Sequence, residues 1–207
     1  MALLAGALLS LAFAPVGFWP LAIASPAVLL WLWQETTPRE AARLGFAFSF
    51  GTFAAGTYWL YVSIHGFGQA PLWVALLLML GLVSIMGAYH ALLGWLVARW
   101  LPRDGAWRWM VGIPGLWLLM EWFRGWFLSG FAWLSLGYSQ TDTWLAGLAP
   151  IGGTYFLTAL LLLAAGSLMT LLRRVNSYSD SRPPAELEGA LVDAGLMPAP
   201  GLSLIHI

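Results

Sequence analysis

Glu121 and Arg124 stand three residues apart in an apolar segment, a spacing that places a carboxylate and a guanidinium on one face of a helix. Such a pair can hold a polar ligand such as a lipid headgroup, or it can be satisfied internally as an ion pair that fixes the segment after it. An ionisable side chain at the middle of a membrane helix costs about 2.5–3.5 kcal/mol on insertion scales and is by default a functional signal. With a rise of about 1.5 Å per residue, a helix starting near Trp109 carries Glu121 ~18 Å along, into the outer third of a bilayer. Both readings stay open at this point.

His90 is the other ionisable group in an apolar setting. It shares a helical face with Gly87 and Gly94, and the pairs Ser84/Ala88, Gly87/Ala91 and Gly94/Ala98 have the small-xxx-small spacing that lets helices approach closely. A histidine satisfied within a helix contact is therefore expected. No second carboxylate lies beside it to complete a proton relay.

The residue types that are missing narrow the chemistry further. All nine basic residues are arginines, and the 207-residue chain has no Cys and no Lys. That removes disulfides, thiolate nucleophiles, Cys-based metal sites and lysine acid–base chemistry. No metal-ligand spacing, phosphate loop or Ser/His/Asp arrangement occurs, so neither a metal nor a cofactor is expected. A net charge of zero gives no footprint for nucleic acid.

The elements that position these groups follow from the charge pattern. Residues 44–98 form a run of 55 without one charged side chain, and 1–34 and 143–172 repeat the pattern. A soluble domain carries charge on about a quarter of its residues; this chain does so on 9%. A bilayer core of ~30 Å takes about 20 apolar residues per helix, so the long run holds two spans and a turn. The expected fold is all-α, a polytopic transmembrane helical bundle of about six spans, near 2–14, 17–33, 44–64, 71–98, 109–123 and 151–172. The first two form a short N-terminal hairpin broken at Pro15 and Pro20. Pro114 should kink the fifth span or delay its helix. Gly152 and Gly153 read as helix punctuation.

Loop charges orient such a bundle. Segment 34–43 holds Arg39 and Arg43, segment 99–108 holds Arg99, Arg103 and Arg108, and Arg173 and Arg174 follow the sixth span, whereas 65–70 and 124–150 hold only Arg124. The arginine-bearing loops and the tail after 172 are thus expected in the cytoplasm and the aromatic segments 65–70 and 124–150 outside. Ten of the fourteen tryptophans (Trp19, Trp31, Trp33, Trp59, Trp73, Trp100, Trp107, Trp109, Trp126 and Trp144) fall near the proposed interfaces, where aromatic belts account for them. Trp133 and Tyr138 instead lie in the Gly-punctuated outward segment, which has an interfacial or re-entrant character. Residues 1–174 are read as the bundle. The polar stretch 175–207 is read as a disordered or non-native tail, with loss of a natural continuation favoured.

Three stretches together resemble a known family. They are Leu11-Ala12-Phe13-Ala14-Pro15 with Trp19-Pro20; Gly56 to His65 (GTYWLYVSIH) with Phe67-Gly68; and Glu121-Trp122-Phe123-Arg124-Gly125-Trp126 leading through Gly130 to Leu134, then Gly137-Tyr138-Ser139-Gln140 and Gly147 to Pro150. This pattern, covering about residues 3–174, resembles the membrane half of bacterial apolipoprotein N-acyltransferase, with Ala132 standing where that family is expected to carry Pro. The resemblance implies a multi-pass protein of the bacterial inner membrane. Its enzyme takes an acyl chain from a membrane phospholipid and passes it to the α-amino group of an N-terminal S-diacylglyceryl-cysteine on an apolipoprotein. It further implies a nitrilase-like periplasmic domain with a Glu–Lys–Cys triad. No position here can take that triad's Lys or Cys, so this chain alone is expected to be inactive, with no catalytic residue of its own. On the resemblance, the outward face is the lipid-binding candidate: Glu121, Arg124, Trp133, Tyr138 and Gln140, with Tyr61 and His65 opposite. A non-catalytic membrane scaffold and a transporter-like subunit are the competing readings. The transporter reading lacks an internal repeat and has only His90 near mid-depth.

Overall fold

The computed structural model describes residues 1–127 and 130–180, with side chains to residue 175. Among the described residues every regular element is helical: α1 (Ala2–Leu9), α2 (Leu21–Leu32), α3 (Pro38–Gly56), α4 (Trp59–Tyr61), α5 (Leu72–Trp100), α6 (Ile113–Arg124) and α7 (Ala149–Asp180). Met1–Thr170 forms one compact unit; residues 181–207 of the expected tail lie outside the described residues.

The helices overlap the segments drawn as spans, but their bounds and lengths differ. Two stretches, Leu72–Trp100 and Trp144–Val175, are long and apolar enough to cross a membrane, while Ala2–Ala12 and Leu21–Leu32 are shorter apolar helices. α6 has only 12 residues, about 18 Å of helix against a hydrocarbon core of ~30 Å. α3 starts earlier than drawn, at a capping box that admits Arg39, Glu40 and Arg43 to its first turns.

That cap is a local device with a pH signature. The Thr37 hydroxyl accepts from the Glu40 amide, and the Glu40 carboxylate accepts from the Thr37 amide (2.9 Å) and hydroxyl (2.8 Å). These bonds, the backbone one foremost, hold the Glu40 carboxyl below its usual value of 4.5. A lowered carboxyl stabilises the folded form above its unfolded value and loses that contribution as pH falls through the folded one. Amide-exchange protection at the start of α3, taken relative to the intrinsic rate at each pH, should therefore fall on acidification below about pH 4.5, and Glu40→Gln should flatten this dependence.

Close helix approach organises the core. Gly6 of α1 packs its Cα against the Phe48 carbonyl of α3, and Gly51 packs against the Leu3 carbonyl. α5 presents Val83, Met86, Gly87, His90, Leu93, Gly94 and Val97 on its buried face. On that face Gly94 meets the Ala41 carbonyl, while Gly45 of α3 meets the His90 carbonyl. The Ser49 hydroxyl adds a bond to the Met86 carbonyl at 2.9 Å. Of the predicted small-residue pairs, Ser84/Ala88 falls off this face, since Ala88 is exposed.

Several expectations change at the bundle's arginine-bearing end. Trp33 and Trp109 are fully buried, so they belong to the core and not to an aromatic belt. The Trp33 indole donates to the Ala41 carbonyl at 2.9 Å, which gives its polar edge a partner. Arg108, counted as a loop charge, is buried as well. Its guanidinium donates to the Leu101 (3.3 Å), Pro102 (3.1 Å) and Trp33 (3.3 Å) carbonyls and so ties the turn after α5 to the end of α2.

The prolines act largely as the pattern predicts. The chain turns between α1 and α2 through a cis Ala14–Pro15 bond, and α2 begins directly after Pro20. Pro26 sits unforeseen inside α2, where it withholds the amide that would reach back one turn. Pro114 lies in the first turn of α6 after a π-helical turn, Arg108–Gly112, so the delayed start is what occurs. In α7 the helix breaks at Gly152 and Gly153, with Gly153 at φ +68°.

Candidate functional site

α6 is amphipathic in an unusual sense, because its buried stripe ends in two charges: Ile113, Pro114, Trp117, Met120, Glu121 and Arg124. Glu121 is 4% exposed and Arg124 2%. An isolated buried charge is costly unless it is hydrogen-bonded and compensated. The two groups share one helical face as predicted, yet no direct ion pair joins them. Each carries its own set of partners, and most of these lie in the loop that follows.

Glu121 Oε1 accepts from the Leu136 amide (2.9 Å) and from Trp117 Nε1 (3.3 Å), and its Oε2 accepts from the Thr158 hydroxyl of α7 (3.0 Å). Arg124 donates from one terminal nitrogen to the Trp133 carbonyl and from the other to Ser135 Oγ, both at 2.8 Å. Its guanidinium also lies 5.3 Å from the centre of the Phe53 ring, within cation–π range. Of the two readings left open for these charges, the geometry matches an internally satisfied pair of groups that fixes the segment after it: both are interior, and they clamp residues 133–136.

The clamp explains a backbone oddity. Leu134 adopts φ +57°, a left-handed conformation that costs a non-glycine residue on the order of 1–3 kcal/mol and persists only where its surroundings impose it. Its neighbours on both sides are pinned, Trp133 and Ser135 by Arg124 and Leu136 by Glu121. Leu134 is driven inward onto Gly56, and Trp133 is left outward, 51% exposed. The Trp133 ring meets Trp59 at 5.4 Å between centroids. Ala132, where a family proline was expected, still closes its turn, since its carbonyl accepts from the Ser135 amide (3.2 Å) and hydroxyl (2.9 Å).

Beneath the loop lies a cavity of about 10 Å3 bordered by Ser49, Thr52, His90, Glu121, Arg124 and Leu134, among others. That is the room a single water needs. His90 is buried as expected, with its ring edge-on to Trp117 at 5.0 Å. Its Nδ1 finds no hydrogen-bond partner among the described residues.

The remaining candidates separate into other groups. Gln140 is fully buried, donating to Ser139 Oγ (2.9 Å) and accepting from Thr143 Oγ1 (3.0 Å), so it shapes the 3-10 turn Leu136–Gln140. Tyr138 on the same turn is 43% exposed. Tyr61 and His65 stack on each other at 5.4 Å, with His65 exposed and its Nδ1 2.8 Å from the Ala70 carbonyl. Tyr61 immediately precedes a π-helical turn, Val62–Phe67, and His65 lies within it. Trp117, Ser135 and Thr158 were not singled out in the sequence. Trp117 was within reach of helical spacing, four residues before Glu121. Thr158 is 37 residues from its carboxylate partner, and nothing local announces the pairing.

Among the described residues no group of three or more metal-binding side chains occurs. The chain matches the profile of the apolipoprotein N-acyltransferase N-terminal domain across residues 5–167. It is similar to proteins named apolipoprotein N-acyltransferase from Vibrio parahaemolyticus (47% identical over 163 residues, 79% of this chain and 32% of the relative) and Azotobacter vinelandii (47% over 193 residues, 93% of this chain and 36% of the relative). A Pseudomonas aeruginosa relative of the same name is 45% identical over 177 residues, 84% of this chain and 34% of the relative. The chain spans about a third of the length of the curated relatives it matches. On the breadth of these matches, the chain belongs to the apolipoprotein N-acyltransferase N-terminal domain family.

Proposed function

We propose that this chain is the membrane part of a lipoprotein N-acyltransferase of the bacterial inner membrane. The whole enzyme moves an acyl chain from a phospholipid to the α-amino group of an N-terminal S-diacylglyceryl-cysteine on an apolipoprotein. This chain holds and positions the lipid substrates and transfers nothing alone, since it supplies neither a thiol nor an amine side chain. In this reading the six helical segments span the bilayer. Arginine-bearing loops 34–43 and 99–108 and the region after 172 lie in the cytoplasm, and segments 65–70 and 124–150 lie in the periplasm.

The observation that carries the proposal is the outward presentation of Trp133 beside Trp59 by two buried charges. A protein interior that needed only an ion pair would not spend both charges on a loop backbone with a strained residue at its centre. An indole suits the bilayer interface, with an apolar body and one polar edge. Both substrates are lipids, and holding them beside a thiolate removes much of the entropic cost of their encounter. Glu121, Arg124 and Gln140 serve here as supports of the lipid-facing surface, and Trp133, Tyr138, Tyr61 and His65 as the groups that meet lipid.

The test is Trp133→Ala in the full-length acyltransferase that carries this domain. The expected result is acyl transfer lowered on the order of tenfold, the equivalent of about 1.5 kcal/mol for one aromatic contact, with abundance in the membrane unchanged. Wild-type turnover in that variant overturns the proposal.

A further inference from the structure

Thr158 joins three elements at one hydroxyl. It lies in α7, fully buried, and donates to Glu121 Oε2 of α6 at 3.0 Å while accepting from the Gly137 amide of the 135–140 turn at 2.9 Å. One turn earlier in α7, the Thr154 carbonyl lies against Gly137 so closely that a side chain there would collide with it. The break at Gly152 and Gly153 precedes this contact, so the part of α7 that meets the turn is the continuous helix that begins at Thr154. The clamp on residues 133–136 therefore has a third arm from α7, and that arm holds the turn carrying exposed Tyr138.

A buried hydroxyl could serve the fold alone by satisfying two polar groups. Its placement is more specific than that requires. It partners the Glu121 oxygen that the loop amide and Trp117 leave free, and so fixes the rotation of a carboxylate whose other oxygen sets the Leu136 amide. A change at Thr158 therefore reaches the exposed rings on both sides of the clamp, Trp133 and Tyr138. We infer that Thr158 is a positioning residue for lipid substrate, acting through Glu121 and Gly137 to set the places of Trp133 and Tyr138. This inference rests on the lipid-holding reading above.

The experiment compares Thr158→Val, Thr158→Ser and Trp133→Ala in the full-length acyltransferase, with phosphatidylethanolamine in mixed micelles as the varied substrate. Apparent KM, kcat and melting temperature are read on the same preparations. The valine variant should raise KM about fivefold, the worth of one net hydrogen bond, with kcat within a factor of about two, and the serine variant should restore KM. A valine variant whose activity and melting temperature fall together at unchanged KM overturns the inference, as does one that fails to accumulate, because the hydroxyl then serves the fold. If Trp133→Ala raises KM and Thr158→Val does not, this inference alone falls. If Thr158→Val leaves KM unchanged and Trp133→Ala also leaves acyl transfer at the wild-type level, the lipid-holding reading falls with it.

Discussion

Replacing Glu121 with Leu should unseat the loop from residue 133 to 136 and cost the domain about 3–5 kcal/mol, the range for stripping a buried charge of its compensation. Three donors lose their acceptor at once: the Leu136 amide, the Trp117 indole and the Thr158 hydroxyl. Arg124 keeps its bonds to Trp133 and Ser135 but becomes a buried positive charge with no opposite charge beside it. Leu134, released on one side, should leave its left-handed conformation, and Trp133 should lose its fixed place against Trp59. Glu121→Gln keeps an acceptor oxygen for some of these donors and should fall between wild type and the leucine variant. Thermal unfolding of the purified protein in detergent, followed with Trp133 accessibility to a collisional quencher in a background of fewer tryptophans, reads both effects. A leucine variant as stable as wild type would show that the clamp does not hold the loop.

Gly45→Leu should be about as damaging for a different reason. A Cβ at Gly45 runs into the His90 carbonyl and comes within 3.2 Å of the Trp33 ring. The obstacle is the backbone of α5, which cannot rotate aside as a side chain can, so the two helices must separate. Overpacking typically costs 1–3 kcal/mol, and at a backbone contact the cost should be about 3 kcal/mol or more. Gly81 on the same α5 is the internal control, because nothing lies within 4 Å of a Cβ there. Gly81→Ala should stabilise by about 0.5–1 kcal/mol through lost freedom of the unfolded chain. The two glycines look alike in sequence, each within a long apolar run. Melting temperatures that move in opposite directions confirm that helix approach, not helix propensity, sets the requirement at Gly45.

The sequence by itself determined the helical architecture and where its segments lie. Apolar runs bounded by arginines and prolines mark the helices, and Pro20, Pro114 and the Gly152-Gly153 pair mark their beginnings and breaks. These features are local, because each depends on backbone chemistry or on hydropathy over one or two turns. Helical spacing also placed Glu121 and Arg124 on one face and His90 in a helix contact. The partners of those residues were decided by tertiary structure. Two charges three residues apart are read as a pair, yet the fold brings a loop backbone and Thr158 within reach, and the carboxylate's hydrogen bonds go to these and to Trp117 while the guanidinium acts on it only as a nearby charge. Arg108, Trp33 and Trp109 resemble interfacial residues in sequence; the first two are buried because α2 ends beside the turn after α5, and the backbone of Trp109 packs against Gly166 of α7. Periodicity records which face of a helix is apolar, but it carries no record of what crosses that face from 37 residues away.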